Sequence, residues 1–121
     1  MSLNVQTSLT PRLWSAGGGA DIFTMFEVLE HVPNPDEMLE HIKQVTTDDA
    51  AIFLSTPVNE PAPGHIYLFR SVQEVLDMME KHGFFVESKL YATAGGIQLE
   101  IAEEKELPIT VALRLKKKHL V

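Results

Sequence analysis

The chain has 121 residues, enough for one domain with a packed core and too few for two domains of ordinary size. Hydrophobic residues make up 45% and charged residues 22%, which is a globular composition and neither a disordered nor a fibrous one. The net charge of -7 argues against a general attraction to nucleic acid, and the absence of cysteine excludes disulfides, thiolate nucleophiles and thiolate metal sites.

No run of about 18 apolar residues occurs, and no basic stretch leads into an apolar one, so neither a membrane span nor a secretory signal is expected. A cytoplasmic protein is the default. Residues 1–19 end in three glycines and read as a lead-in, with Trp14 as its candidate anchor. From Ala20, "ADIFTMFEV" is rich in β-branched and aromatic residues, as expected of a strand buried on both faces and ending near Glu27.

Asn34 supplies an N-cap, Pro35 suits the first helical position, and Asp36 and Glu37 meet the positive end of the helix dipole. A helix over 35–46 follows, with Met38, Leu39, Ile42 and Val45 on one face. "AAIFLSTP", residues 50–57, is a second apolar strand, and "VNEPAPGH" after it is a loop long enough to form a flap. Ser71 and Glu74 make a capping box for a second helix, which carries Val72, Val75, Leu76 and Met79 inward and stops at Gly83.

"FFVESKLYA" and "IQLEIAE" flank Gly95 and Gly96 as a predicted antiparallel hairpin. Residues 107–121 alternate as a strand would, although Pro108 could equally open a helix; the alternation favours a strand. The basic run "RLKKKH", residues 114–119, reads as a solvated tail. Phe84 and Phe85 are assigned to the core, Met38, Met78 and Met79 to helix packing, and His41 and His82 to the surface or its boundary.

The order strand, helix, strand, helix, hairpin implies an α/β fold with a mainly parallel sheet. Ligands of such sheets sit at the carboxyl ends of the strands, here the segments 27–33 and 57–65. If one helical turn follows the first strand, Glu27, Glu30 and His31 project from one face at i, i+3 and i+4, and His65 could close the set. Two carboxylates and two imidazoles suit Mn2+, Co2+ or Zn2+, with Mg2+ less natural beside nitrogen. Without a metal, His31 or Glu27 could orient an acceptor or act as general base. The plain alternatives are a histidine capping the strand end and a solvated Glu30.

"ADIFTMFEVLEHVPNPDEMLEHI", "AAIFLSTP" and "GHIYLFRSVQEVLDMMEKHGF", in that order, resemble the second half of class I S-adenosylmethionine-dependent methyltransferases over residues 20–105. The resemblance implies a partial Rossmann-like methyltransferase sheet with an antiparallel C-terminal hairpin and helices on its faces, residues 20–121 being the C-terminal half of the domain. It implies S-adenosylmethionine as cofactor, with Met25, Phe26 and Glu27 at its binding edge. It also implies O-methylation of a small-molecule, lipid-precursor or sugar hydroxyl.

The family's glycine-rich turn and ribose-binding acid are not visible, since "AGGGAD" leads into a strand and not a helix. The isolated chain is therefore expected to be inactive, or else a non-catalytic module that keeps the fold. An RNA-directed enzyme is disfavoured by the acidic balance. In the family this strand lies beside the first one, so strand 20–28 would be an open edge and a homodimer through it is expected.

E-x-x-E-H followed by a distant histidine is similar to the metal motif of small-RNA 3′-terminal 2′-O-methyltransferases. Its first part also looks like that of ubiquinone-biosynthesis O-methyltransferases. By that resemblance Glu27, Glu30, His31 and His65 would be metal ligands. Tyr67 and Phe69, near the flap, could line an acceptor pocket, although packing is the favoured reading of both.

Overall fold

A computed structural model describes residues 19–118; most of the lead-in, including Trp14, and His119 lie outside the described residues. β1 (Ala20–Phe26) is followed by a 3-10 turn (Leu29–His31), α1 (Pro35–Val45), β2 (Thr46–Val58) and α2 (Val72–Lys81). Then come β3 (Phe84–Thr93), a second 3-10 turn (Ala94–Gly96), α3 (Leu99–Glu104) and β4 (Ile109–Lys117).

The strands form one sheet in the order β1-β2-β4-β3. β1 and β2 are parallel, and β4 runs antiparallel to both β2 and β3. Three strands thus share a direction and β4 is inserted against them. The expected fold class holds, and β1 is an edge strand among the described residues.

Local chemistry sets the two long helices. The Asn34 side chain accepts from the Glu37 amide at 3.2 Å, and Ser71 accepts from the Glu74 amide at 3.0 Å, each satisfying a donor that the first helical turn leaves orphaned. Gly83, with φ 82°, takes the left-handed conformation that lets the chain leave α2 and enter β3. Leu39 and Ile42 of α1 and Val75 and Met79 of α2 are fully buried against one face of the sheet, where Ile52, Leu54, Val111 and Leu115 meet them.

Four expectations are corrected. "IQLEIAE" is not a strand: it contributes α3, whose Ala102 is buried, and the hairpin partner of β3 is β4. Ile97, Leu99 and Ile101 do alternate, but Ile109, Val111, Leu113 and Leu115 bury a longer alternating row and win the pairing. The basic run is no solvated tail, because residues 114–117 belong to β4. Lys117 is largely buried, and its Nζ donates to the carbonyls of Lys43 (3.0 Å) and Thr46 (2.7 Å) at the end of α1, where a cation suits the helix dipole. Burial holds its pKa below the usual lysine value. Phe85 is exposed on the face opposite the core, while Phe84 is buried as expected.

His82, expected at the surface or its boundary, is buried. Its Nδ1 lies 2.5 Å from Glu40 and its Nε2 2.6 Å from Asp36, so the ring clasps the end of α2 to the first two turns of α1. The hydrogen bond from His82 is the main reason that both carboxyls are held below their ordinary values of 3.8 and 4.5; Lys81 and Lys43 add to the effect. A carboxyl with a lowered folded pKa stabilises the fold above its unfolded value, and that stability disappears as pH falls through the folded one. Melting temperature is therefore expected to fall steeply below about pH 4, and His82→Leu to flatten that acid limb in melts recorded from about pH 2 to 6. An unchanged limb in the variant would count against the clasp.

Candidate functional site

β1 ends where the backbone turns sharply. Glu27 has φ 57°, a left-handed conformation that is uncommon for a residue with a side chain. It is held by its amide donating to the Ser55 carbonyl (2.9 Å) and by the Ser55 hydroxyl donating to its Oε2 (3.0 Å). Val28 and Leu29 are buried and anchor the following turn.

That turn drives Glu30 inward, leaving it only 2% exposed. Its Oε1 accepts from the Thr56 hydroxyl at 3.2 Å, and its backbone carbonyl accepts from the amides of Ile66 (2.6 Å) and Tyr67 (3.1 Å). The loop after β2 is thereby fastened to the turn after β1. Burial, more than any other influence, raises the Glu30 carboxyl above its ordinary value, and the Glu27 charge adds to this.

His31 is 43% exposed, with Nδ1 2.8 Å from the Gly64 carbonyl and Nε2 3.6 Å from Glu30 Oε2. His65 places Nδ1 2.7 Å from the Glu60 carbonyl. A carbonyl only accepts, so in both rings Nδ1 is the donor, which leaves Nε2 as the nitrogen free to ligate. The two rings meet edge to face at 5.0 Å between centroids. One ligand atom each from Glu30, His31 and His65 lies within 4.8 Å of the others. Gly64, at φ 87°, sits against His31, and a Cβ there would lie 3.5 Å from Nδ1.

The structure thus brings together three of the four expected ligands. Glu27 is not among the three: the turn is a 3-10 segment entered from a left-handed residue, not a regular helix, and the Glu27 carboxylate accepts from Ser55. The Met25 side chain is buried in the core, and Phe26 lies half exposed on the other sheet face. Tyr67 packs at a tilt against Phe69, 4.8 Å between ring centroids, and donates to Glu74 at 3.1 Å; burial first, then that hydrogen bond, raises its pKa. Phe69 is buried in the core.

Beside the site, Val32, Pro33, Asn34, Glu37, Met38 and His41 line a cleft of about 350 Å³. Sequence reasoning missed Thr56, which holds Glu30, and Gly64, which holds His31. "STP" and "PGH" were the signals, but their partners lie 26 and 33 residues away. No helix among the described residues is long and apolar enough to cross a membrane.

A methyltransferase-domain family model matches residues 3–91. The chain is 38% identical over 66 residues to a ubiquinone biosynthesis O-methyltransferase of Glaesserella parasuis serovar 5 (strain SH0165), a match covering 53% of this chain and 28% of that one. Its fold is similar to that of the [4+2]-cyclase SpnF, with a TM-score of 0.64 at 11% identity over 83% of this chain and 50% of that one. It is also similar to the O-methyltransferase from a trans-AT PKS multienzyme of Brevibacillus brevis, solved with S-adenosyl-L-homocysteine. There the TM-score is 0.63 at 14% identity over 81% of this chain and 44% of that one. The chain spans half or less of the length of each of these three relatives. With the family model covering well over half of its residues, the chain belongs to the methyltransferase-domain family.

Proposed function

We propose that this chain supplies the acceptor side of an S-adenosylmethionine-dependent O-methyltransferase acting on a small-molecule, lipid-precursor or sugar hydroxyl. One observation carries this reading: two imidazoles, each fixed through Nδ1 by a backbone carbonyl, gather with a buried carboxylate at the carboxyl ends of two parallel strands, one ligand atom of each within 4.8 Å of the others. Carbonyl-anchored imidazoles are the usual arrangement behind a metal-bound histidine. The donor set fits a divalent ion of the Mn2+, Co2+ or Zn2+ kind, held by Glu30, His31 and His65. Such an ion would act as a Lewis acid that lowers the pKa of the acceptor hydroxyl.

The remaining steps belong to the chain's own groups. Without an ion, His31, the most exposed of the three, would instead present Nε2 as a base for the acceptor proton, with Nδ1 held by the Gly64 carbonyl. Glu27, braced by Ser55, orients the acceptor at the rim. The described residues do not fit a complete methyl-donor cradle, because no glycine-rich turn among them leads from a strand into a helix. The donor would need further polypeptide, and the isolated chain is inactive in this reading.

The same feature favours a second reading, a non-catalytic module that keeps the fold. Calorimetric titration separates the two. Mn2+ or Zn2+ is expected to bind one per chain, with His31→Ala and His65→Ala each weakening binding by about tenfold or more. Absence of ion binding by the parent, together with no heat from S-adenosylmethionine, would leave the module.

A further inference from the structure

Three non-glycine residues among the described ones adopt left-handed backbone: Glu27, Asn59 and Glu106. Glu106 lies between α3 and β4. The other two occupy equivalent places. Glu27, at φ 57°, is the first residue after β1, and Asn59, at φ 56°, is the first residue after β2. The two strands are parallel neighbours, so both loops that deliver the candidate ligands leave the sheet through a conformation that glycine adopts more easily. Strain of this kind persists where surrounding contacts over-determine it, and it concentrates at functional sites.

The contacts at Asn59 are made by its backbone. Its amide donates to the Phe69 carbonyl at 2.8 Å, and the preceding Val58 bridges Phe69, which pins the residue at the base of the loop. Its carboxamide has no hydrogen-bond partner among the described residues. The side chain therefore does not hold the turn. The next carbonyl along the chain, that of Glu60, accepts from His65 Nδ1 at 2.7 Å.

The far end of this segment is set independently. Ala62, Pro63, Gly64 and His65 form a turn closed by the His65 amide on the Ala62 carbonyl at 2.9 Å, with Gly64 at φ 87° in the third place. Proline second and glycine third is the pattern of a type II turn. A local turn thus places the His65 backbone, while a carbonyl five residues earlier holds its ring. An extended residue at position 59 would send the chain on along β2 and carry that carbonyl away from the returning loop.

We infer that Asn59 is a positioning residue for His65: its left-handed backbone, and not its carboxamide, aims the Glu60 carbonyl that fixes the ring and leaves Nε2 to the cluster with Glu30 and His31. The consequence for ion affinity rests on the reading of these three side chains as ligands. The placement of the ring does not.

The test is a substitution series at position 59 in the full chain. Glycine enters the left-handed region freely, alanine less readily, and valine, branched at Cβ, least of all. Proton–nitrogen correlation spectra of the isotope-labelled, ion-free protein read which ring nitrogen of His65 carries hydrogen in the neutral ring, with His65→Ala assigning the signal. The parent and Asn59→Gly are expected to show Nδ1. Asn59→Val is expected to move the hydrogen to Nε2, while His31, held by the Gly64 carbonyl, keeps it on Nδ1. A general loosening of the fold would change both rings, and loss of carboxamide chemistry would change the glycine variant as much as the valine one.

Binding of Mn2+ or Zn2+ is expected to weaken about tenfold or more in Asn59→Val and to be kept in Asn59→Gly. If the valine variant does not fold, Asn59→Ala takes its place and is expected to show a mixture of the two ring forms. A His65 ring that carries its hydrogen on Nε2 in the parent overturns the inference. So does a ring unchanged in the valine or alanine variant, or a change shared by the glycine variant or by His31. A parent that binds neither ion overturns the proposed function instead, and the ring series on the ion-free chain still decides the role of Asn59.

Discussion

Glu30→Gln is expected to raise the melting temperature of the ion-free protein at neutral pH and to abolish the further rise that Mn2+ or Zn2+ gives the parent. The parent carries a carboxyl in a nearly closed site, and burial raises it above its ordinary value of 4.5. The folded chain therefore holds that proton more tightly than the unfolded chain does. For such a group stability is present at low pH and is lost as pH rises from 4.5 through the raised folded value, the reverse of the Asp36 and Glu40 case.

Glutamine keeps the shape and can still accept from Thr56, but it has no charge to desolvate. The expected gain is about 1–2 kcal/mol, and roughly 4–8 °C for each kcal/mol in a domain of this size. The same change removes the anionic ligand, so an ion should no longer stabilise the variant by mass action. Calorimetric melts with chelator and with ion decide the matter. A variant that melts lower than the parent in chelator would show that the carboxylate is compensated in the folded state, and retained ion stabilisation would remove Glu30 from the ligand set.

Phe69→Ala is expected to have the largest effect on stability. The ring is fully buried and packs at a tilt against Tyr67, while the Phe69 carbonyl accepts from the Asn59 amide at 2.8 Å. Val58 and Phe69 also form a parallel bridge. Phe69 therefore closes the base of the loop that carries His65. Truncation to alanine removes the ring and leaves a cavity, at a cost of about 3–5 kcal/mol. Against a total stability of about 5–15 kcal/mol that is a substantial fraction.

Urea unfolding should show the midpoint falling sharply for Phe69→Ala and much less for Phe69→Leu, which refills most of the volume. Ion affinity should follow the same order, because His65 loses its support when the loop base opens. A loss below about 1 kcal/mol for the alanine variant would mean that the loop is held by its backbone contacts alone.

The site was legible where its chemistry is local or its spacing distinctive. Glu30, His31 and His65 were named from the E-x-x-E-H pattern and the later histidine, and the structure brings them together. Glu27 was grouped with them on a helical period, but it leaves β1 in a left-handed conformation and is not one of the three gathered groups. Thr56, Gly64 and Glu60 complete the site through hydrogen bonds, two of them made by backbone carbonyls. A backbone carbonyl leaves no mark in residue identity.

What the sequence determined by itself is the set of features that depend on near neighbours. Asn34 with Pro35, and Ser71 with Glu74, announce helix starts because the capping group and its amide are three residues apart. The apolar runs of β1 and β2 and the alternation of β4 announce strands for the same reason. Tertiary structure alone decided which strand pairs with β3, which of Phe84 and Phe85 faces the core, and that His82 is clasped by acids 42 and 46 residues earlier. Those outcomes are competitions between distant segments for the same hydrogen bonds and the same buried volume, and a local pattern holds only one side of such a competition.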